Sequence, residues 1–223
     1  MIRAVAFDVG ETLISDDRGW GAWADWLGIN RHTLSALVGA VVAQGRDNAD
    51  ALRLVRPGID IEAERTAMQR AGRGEFLDES DLYPDVRPSL AALQDAGIRV
   101  VVAGNQTVQA GELLRTLNLP VDALATSGEW GVAKPDPAFF ARTVQLAGTA
   151  ADEVLYVGDH PQNDVLPAAR AGMRTAHLRR GPLGHLWADS EYAQAADWRI
   201  GSLAELVDAL RPDASAARPH LCE

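Results

Sequence analysis

The sequence predicts an α/β fold: a doubly wound parallel sheet with an α-helical insertion after its first strand. Short apolar runs alternate with helical patterns along most of the chain, as they do when strands are joined by crossover helices. The runs are continuous rather than broken by polar residues at every second position, which suits strands covered on both faces. After the first run, about 70 residues carry no strand pattern, too many for a loop in a packed domain.

Taken in order, the first strand is expected over 4–7, where Ala4-Val5-Ala6-Phe7 is wholly apolar. Four helical segments follow, at 20–27, 32–44, 47–54 and 60–72, punctuated by Gly45, Pro57-Gly58 and Gly72. Tyr83-Pro84-Asp85-Val86-Arg87-Pro88 reads as the return hinge. Further strands are expected over 98–103, 123–125 and 154–157, with weaker signals at 175–178 and 198–200. Helices over 86–96, 110–117, 137–147, 165–171 and 203–210 complete the alternation. With ~100–200 residues usual for a domain, the 223-residue chain divides into a core (1–15 and 84–211), a helical cap (16–83) and a tail (212–223). The tail lacks periodicity and is expected to fray.

The chain carries 21 basic and 31 acidic residues, a net charge of −10. That repels phosphate backbones and anionic lipid, so no nucleic-acid or membrane partner is expected. A site for an anionic small molecule would therefore need local positive charge, which a bound cation and one lysine can supply. The lone cysteine, Cys222, forms no internal disulfide and fits a reducing compartment. The N-terminus lacks a secretory pattern, and no stretch approaches the ~18 apolar residues of a membrane span. A soluble, cytoplasmic protein is expected.

Three segments carry chemistry, each at the carboxyl end of an expected strand, where ligands sit in such folds. Asp8 follows the first strand and leads into Val9-Gly10-Glu11-Thr12; it is a candidate nucleophile or metal ligand, or simply a solvated aspartate at a strand end. Lys134 precedes Pro135-Asp136-Pro137; Pro135 keeps it extended and Asp136 can cap the next helix, although a lone lysine is more often a surface residue. Gly158-Asp159-His160-Pro161-Gln162-Asn163-Asp164 places two carboxylates five residues apart. They suit a hard cation such as magnesium, which takes one or two protein carboxylates; the plain alternative is that Asp164 or Asn163 caps a helix.

All three together, in this order, resemble the haloacid dehalogenase superfamily, over residues 2–15 and 84–210, with the helical insertion where that superfamily carries a cap. The resemblance implies a Rossmann-like hydrolase core using Mg2+, most simply a phosphatase of a small phosphorylated molecule. Asp8 would attack phosphorus and form an aspartyl-phosphate. Lys134 would neutralise charge on the transferring group. The ion would be held by Asp8, Asp159, Asp164 and the main-chain carbonyl of Gly10.

Two positions depart from the superfamily pattern. Gly10 stands where phosphatases of this kind carry a second aspartate, so the proton donor, worth ~10²–10⁴-fold, is missing; Glu11 and His160 are the nearby substitutes. Gly104 stands where a substrate-binding Ser or Thr is expected, a loss of ~1–3 kcal/mol unless replaced; the Asn105 amide is the candidate replacement, or a brace for its loop. Three readings stay open: a phosphohydrolase favouring acyl, aryl or anhydride phosphates, a catalytically silent binding or assembly core, and a carbon–halogen or phosphonate enzyme. The Asp159/Asp164 pair reads as a metal site, which dehalogenases do not need, and 16–83 contains no lysine for a Schiff base. Trp20, Trp23 and Trp26, with Glu129-Trp130, either line a pocket or pack the cap, and packing is the simpler reading. Arg179-Arg180 reads as a solvated basic pair or an aid to an anionic substrate.

Overall fold

Strand β1 (Ala4–Phe7) is buried along its whole length, because both of its neighbours in the sheet and both faces are covered. The computed structural model describes residues 1–211; the expected fraying tail 212–223 and Cys222 lie outside the described residues. Five more strands are β2 (Arg99–Gly104), β3 (Ala123–Thr126), β4 (Val154–Gly158), β5 (Arg174–Leu178) and β6 (Trp198–Ile200). They form one sheet in the order β3-β2-β1-β4-β5-β6, with every pairing parallel. The chain reverses its winding between β1 and β4, and in such sheets the crevice outside the carboxyl ends at that point receives ligands.

Twelve α-helices accompany the sheet among the described residues. In chain order they are α1 (Asp17–Leu27), α2 (Arg31–Ala43), α3 (Asp50–Val55), α4 (Ile61–Arg70), α5 (Val86–Asp95) and α6 (Val108–Thr116). Then come α7 (Ser127–Trp130), α8 (Pro137–Ala147), α9 (Leu166–Arg170), α10 (Gly181–Leu186), α11 (Glu191–Gln194) and α12 (Leu203–Leu210). None of the described helices is long and apolar enough to cross a membrane.

Side chains alternate across a strand, so β1 feeds two cores. Val5 and Phe7 pack with Leu90 of α5, Leu114 of α6 and Leu206 of α12. Ala4 and Ala6 face Phe139 and Phe140 of α8 and Ala168 of α9. Small residues on that second side leave room for the aromatic pair, whose rings meet edge to face at 5.4 Å. A third cluster holds the insertion together around Leu34, Val41, Ala51 and Leu52, and Leu183 and Trp187 from the sheet side pack against it.

The insertion is tied to the sheet by two crossing segments that run side by side. Ile14 bridges Leu82 in antiparallel fashion, the Ser15 N–H donates to the Asp81 carbonyl at 2.9 Å, and the Tyr83 N–H donates to the Leu13 carbonyl at 3.1 Å. Arg18 clasps both Asp78 and Asp81 across this junction. Most elements fall where the sequence places them. The helix expected at 165–171 is preceded by one wide π-helical turn, Pro161–Val165, and α7, α10 and α11 carry no sequence signal because they are only four to six residues long.

Candidate active site

Asp8 extends β1 by one residue, its N–H donating to the Val157 carbonyl at 2.9 Å, which fixes its carboxylate at the carboxyl edge. Asp159 follows β4 on the adjacent strand. The π-helical turn after it brings Asp164 back: the Asp164 N–H donates to the His160 carbonyl at 2.8 Å, and Asp164 Oδ2 accepts the His160 N–H at 2.9 Å. Asp8, Asp159 and Asp164 are all buried, each offering a carboxylate oxygen within 4.8 Å of the others.

Lys134 reaches the same place from the segment before α8. Its Nζ lies 2.5 Å from Asp8 Oδ1 and 2.6 Å from Asp164 Oδ1, and its ammonium stands 5.6 Å from the Tyr156 ring centre. Asn105 holds the lysine from behind. The Lys134 N–H donates to Asn105 Oδ1 at 2.8 Å, and Asn105 Nδ2 donates to the Lys134 carbonyl at 3.0 Å. Asp136 caps α8 by accepting the Ala138 N–H, as the sequence suggested.

Three carboxylates against one ammonium make a crowded, anionic core. Burial pushes Asp8 up to about 6 despite the opposing pull of Lys134, with Asp164 adding to the rise. Burial, then Asp164 and Asp8, hold Asp159 well above the usual carboxylate range. Burial works against the charge on Lys134, but Asp164 and Asp8 outweigh it and raise its pKa well above that of a free lysine. Asp159 makes no side-chain hydrogen bond or ion pair among the described residues although it is only 4% exposed. A buried, unpartnered carboxylate in such a cluster is costly unless a cation joins it.

The cluster opens into a cleft of about 940 Å³ between sheet and insertion, with Trp20, Trp23 and Met68 on its far wall. A sequence model of the haloacid dehalogenase-like hydrolases matches residues 2–172. The chain belongs to that family.

This haloacid dehalogenase-like hydrolase is 33% identical over 132 residues to a glyceraldehyde 3-phosphate phosphatase of Methanocaldococcus jannaschii, a match covering 58% of this chain and 56% of that enzyme. The chain thus aligns with little more than half the length of that relative. Among solved structures, a HAD phosphatase of Thermococcus onnurineus superposes with a TM-score of 0.61 at 22% identity, over 94% of this chain and 98% of the other. The L-2-haloacid dehalogenase of Xanthobacter autotrophicus also gives 0.61 at 22% identity, over 95% and 99%. These two likenesses concern the fold alone.

Other expected residues of this haloacid dehalogenase-like hydrolase stand as follows. Gly104 ends β2 against Asp8; a Cβ there would lie 2.8 Å from Asp8 Oδ1 and from Val9 Cγ2, so the strand has no room for a hydroxyl-bearing side chain. Gly10 sits in the turn after β1, where the bonds are made by its neighbours: the Glu11 N–H donates to the Ile14 carbonyl, and the Leu13 N–H to that of Val9. Glu11 is bound at both oxygens, by the Asp16 N–H at 2.9 Å and the Tyr83 hydroxyl at 2.5 Å. His160 Nδ1 accepts the Asn163 N–H at 3.3 Å, its ring lies 4.7 Å from that of Trp187, and burial lowers it to about 4. Glu11 is thus engaged at both oxygens and His160 at one ring nitrogen.

Arg180 is not the solvated residue the sequence suggested. It donates to the Thr12 carbonyl at 2.8 Å and to Asp85 and lies over the Tyr83 ring, pinning the turn after β1 to the return hinge. Trp130 packs on Phe139 and Glu129 caps α7, so that pair serves the core. Trp26 donates to Glu64 at 2.7 Å, while Trp20 and Trp23 both pack the insertion and line the cleft. Sequence reasoning missed Asp16, a half-buried cleft residue. Burial, then Glu11, Asp8 and Asp17, push its carboxyl up to about 7.

Proposed function

We propose that the chain is a magnesium-dependent phosphohydrolase of small phosphorylated molecules, with Asp8 as its nucleophile. One observation carries this reading: carboxylates from three separate chain positions converge within 4.8 Å around a lysine that touches two of them. The donor set fits a hard divalent cation, since its oxygens are carboxylates and, once all three are ionised, a divalent charge beside Lys134 balances them. Asp8, Asp159 and Asp164 would hold magnesium, with the main-chain carbonyl of Gly10. When bound, the ion neutralises charge on the phosphoryl oxygens.

The protein's own groups supply the remaining chemistry. Asp8 attacks phosphorus and forms an aspartyl-phosphate that water then hydrolyses. Lys134 holds its charge against the transferring oxygens, where preorganised electrostatics act most strongly. Asn105 positions that lysine rather than replacing the absent hydroxyl at Gly104. The phosphatase activity named for the Methanocaldococcus relative supports the same reading, and the lone cysteine supports a cytoplasmic setting.

The test is hydrolysis of acetyl phosphate and of an aryl phosphate with magnesium, comparing the wild type with Asp8→Asn. Phosphate release by the wild type, abolished in the variant and by chelation, is expected. No turnover with magnesium still bound would make the core a silent binding protein. Halide release without metal would make it a dehalogenase.

A further inference from the structure

We propose that Asp16, at the start of α1, is the proton donor that Gly10 cannot supply. The inference rests on the phosphatase reading above and adds the residue that serves the leaving group. A Cβ built on Gly10 would find the Asp16 carboxyl as its three nearest atoms, Oδ2 at 3.1 Å, Oδ1 at 3.2 Å and Cγ at 3.5 Å. The carboxyl of residue 16 thus fills the space into which a side chain at position 10 would grow.

Its bonding sets it apart from the other acids of the cleft that lie outside the cluster at the strand ends. Six carboxyls line the cavity: Asp8, Asp16, Asp47, Glu75, Asp81 and Asp159. Asp8 and Asp159 belong to the cluster at the strand ends. Glu75 is taken by Arg65 and Thr107, Asp81 by Arg18 and the Asp78 N–H, and Asp47 by the Ala49 N–H. Asp16 alone of these four has a carboxyl with no hydrogen bond or ion pair among the described residues. That is unusual for its position. An aspartate at a helix N-cap ordinarily accepts an amide of the first turn, yet Asp16 occupies the N-cap of α1 without such a bond. Its main chain is instead anchored through its N–H to Glu11 Oε1 at 2.9 Å. The backbone is held and the acid is left free.

An Asp8 oxygen forms a bond to phosphorus while the bond from phosphorus to the ester oxygen breaks. The electron pair left on that oxygen takes the Asp16 proton, releasing the alcohol and leaving Asp16 as carboxylate. When water attacks the aspartyl-phosphate, Asp16 takes its proton, phosphate departs, and both groups return to their starting states. Efficient general acids act by giving a proton where charge develops on the leaving atom.

A donor to the leaving group has a signature that a structural aspartate lacks. The experiment measures kcat/KM for acetyl phosphate and for aryl phosphates with progressively poorer leaving groups, in wild type, Asp16→Asn and Asp16→Glu. Asp16→Asn is expected to lose about 10²–10⁴-fold on the poorest phenol and less than about tenfold on acetyl phosphate, which needs no proton. Asp16→Glu is expected to recover part of the loss on poor leaving groups, and melting curves identify any variant that fails to fold. A uniform loss across the series in a folded Asp16→Asn, or no loss, overturns the proposal while leaving the phosphatase reading intact. A wild type inert toward the whole series overturns both.

Discussion

At Lys134 one buried ammonium answers two carboxylates at 2.5 and 2.6 Å, and the main chain carrying it is gripped at both ends by a single amide. Lys134→Met keeps the stem but removes the charge. Removing one partner of a buried ionic cluster typically costs about 3–5 kcal/mol, and losing a preorganised charge at the transferring group costs about 10²–10³ in kcat. Denaturant midpoints and phosphate release should fall together, with magnesium restoring part of the stability. Asn105→Ala should be milder, about 1–3 kcal/mol for the unmade bonds, with kcat reduced and KM little changed. Asp8, Asp159 and Asp164 were legible because each sits in a short motif at a strand end, and Lys134 because it precedes the Pro-Asp-Pro opening of a helix. Asp16 was not, because its place depends on Gly10 lacking a Cβ and on the positive φ of 52° at Glu11 that turns the chain. The lock on Glu11 was hidden for a similar reason: Tyr83 lies far away in sequence.

The element that decides the site is the π-helical turn between β4 and α9. A Cβ on Gly158 would lie 2.2 Å from Asp164 Oδ2, so β4 must end in glycine for that carboxylate to swing back over the strand. Gly158→Ala should keep the sheet, whose register depends on main-chain bonds, yet push Asp164 off Lys134. Magnesium affinity measured by calorimetric titration is expected to fall at least tenfold, with unchanged far-ultraviolet circular dichroism; second-sphere changes of this kind commonly cost 10–100-fold. The sequence announced the sheet and the long helices because continuous apolar runs and a 3.6-residue period are local signals. It did not announce this turn, because a helix opening with one wide turn and a regular helix share the same pattern of apolar positions. Nor did it announce α10, whose Gly181-Pro182 opening reads as a loop.

Across the whole molecule, an overall charge of −10 surrounds a site that is itself short of positive charge. A carboxyl whose folded pKa is raised binds its proton more tightly in the native state, so its contribution to stability is full below the unfolded pKa and is lost as pH rises through the folded one. For Asp8, raised from 3.8 to about 6, the loss falls between about pH 4 and 6 and is on the order of 3 kcal/mol. Without metal, the cluster should weaken the protein across that window, and a divalent ion should cancel the loss. The rise in Tm on adding magnesium is therefore expected to be larger at pH 7 than at pH 4.5, as scanning calorimetry can check. The division of labour between sheet and insertion was readable from the missing strand pattern, but the way they meet was not, since Ile14 and Leu82 pair only after both segments have crossed.

That junction has a mechanical consequence. Asp16 comes immediately after the Ser15–Asp81 bond and its N–H is held by Glu11 in the turn after β1, so the paired stems and that turn together fix where its carboxyl stands. Any shift of the paired stems would therefore displace that carboxyl relative to Asp8.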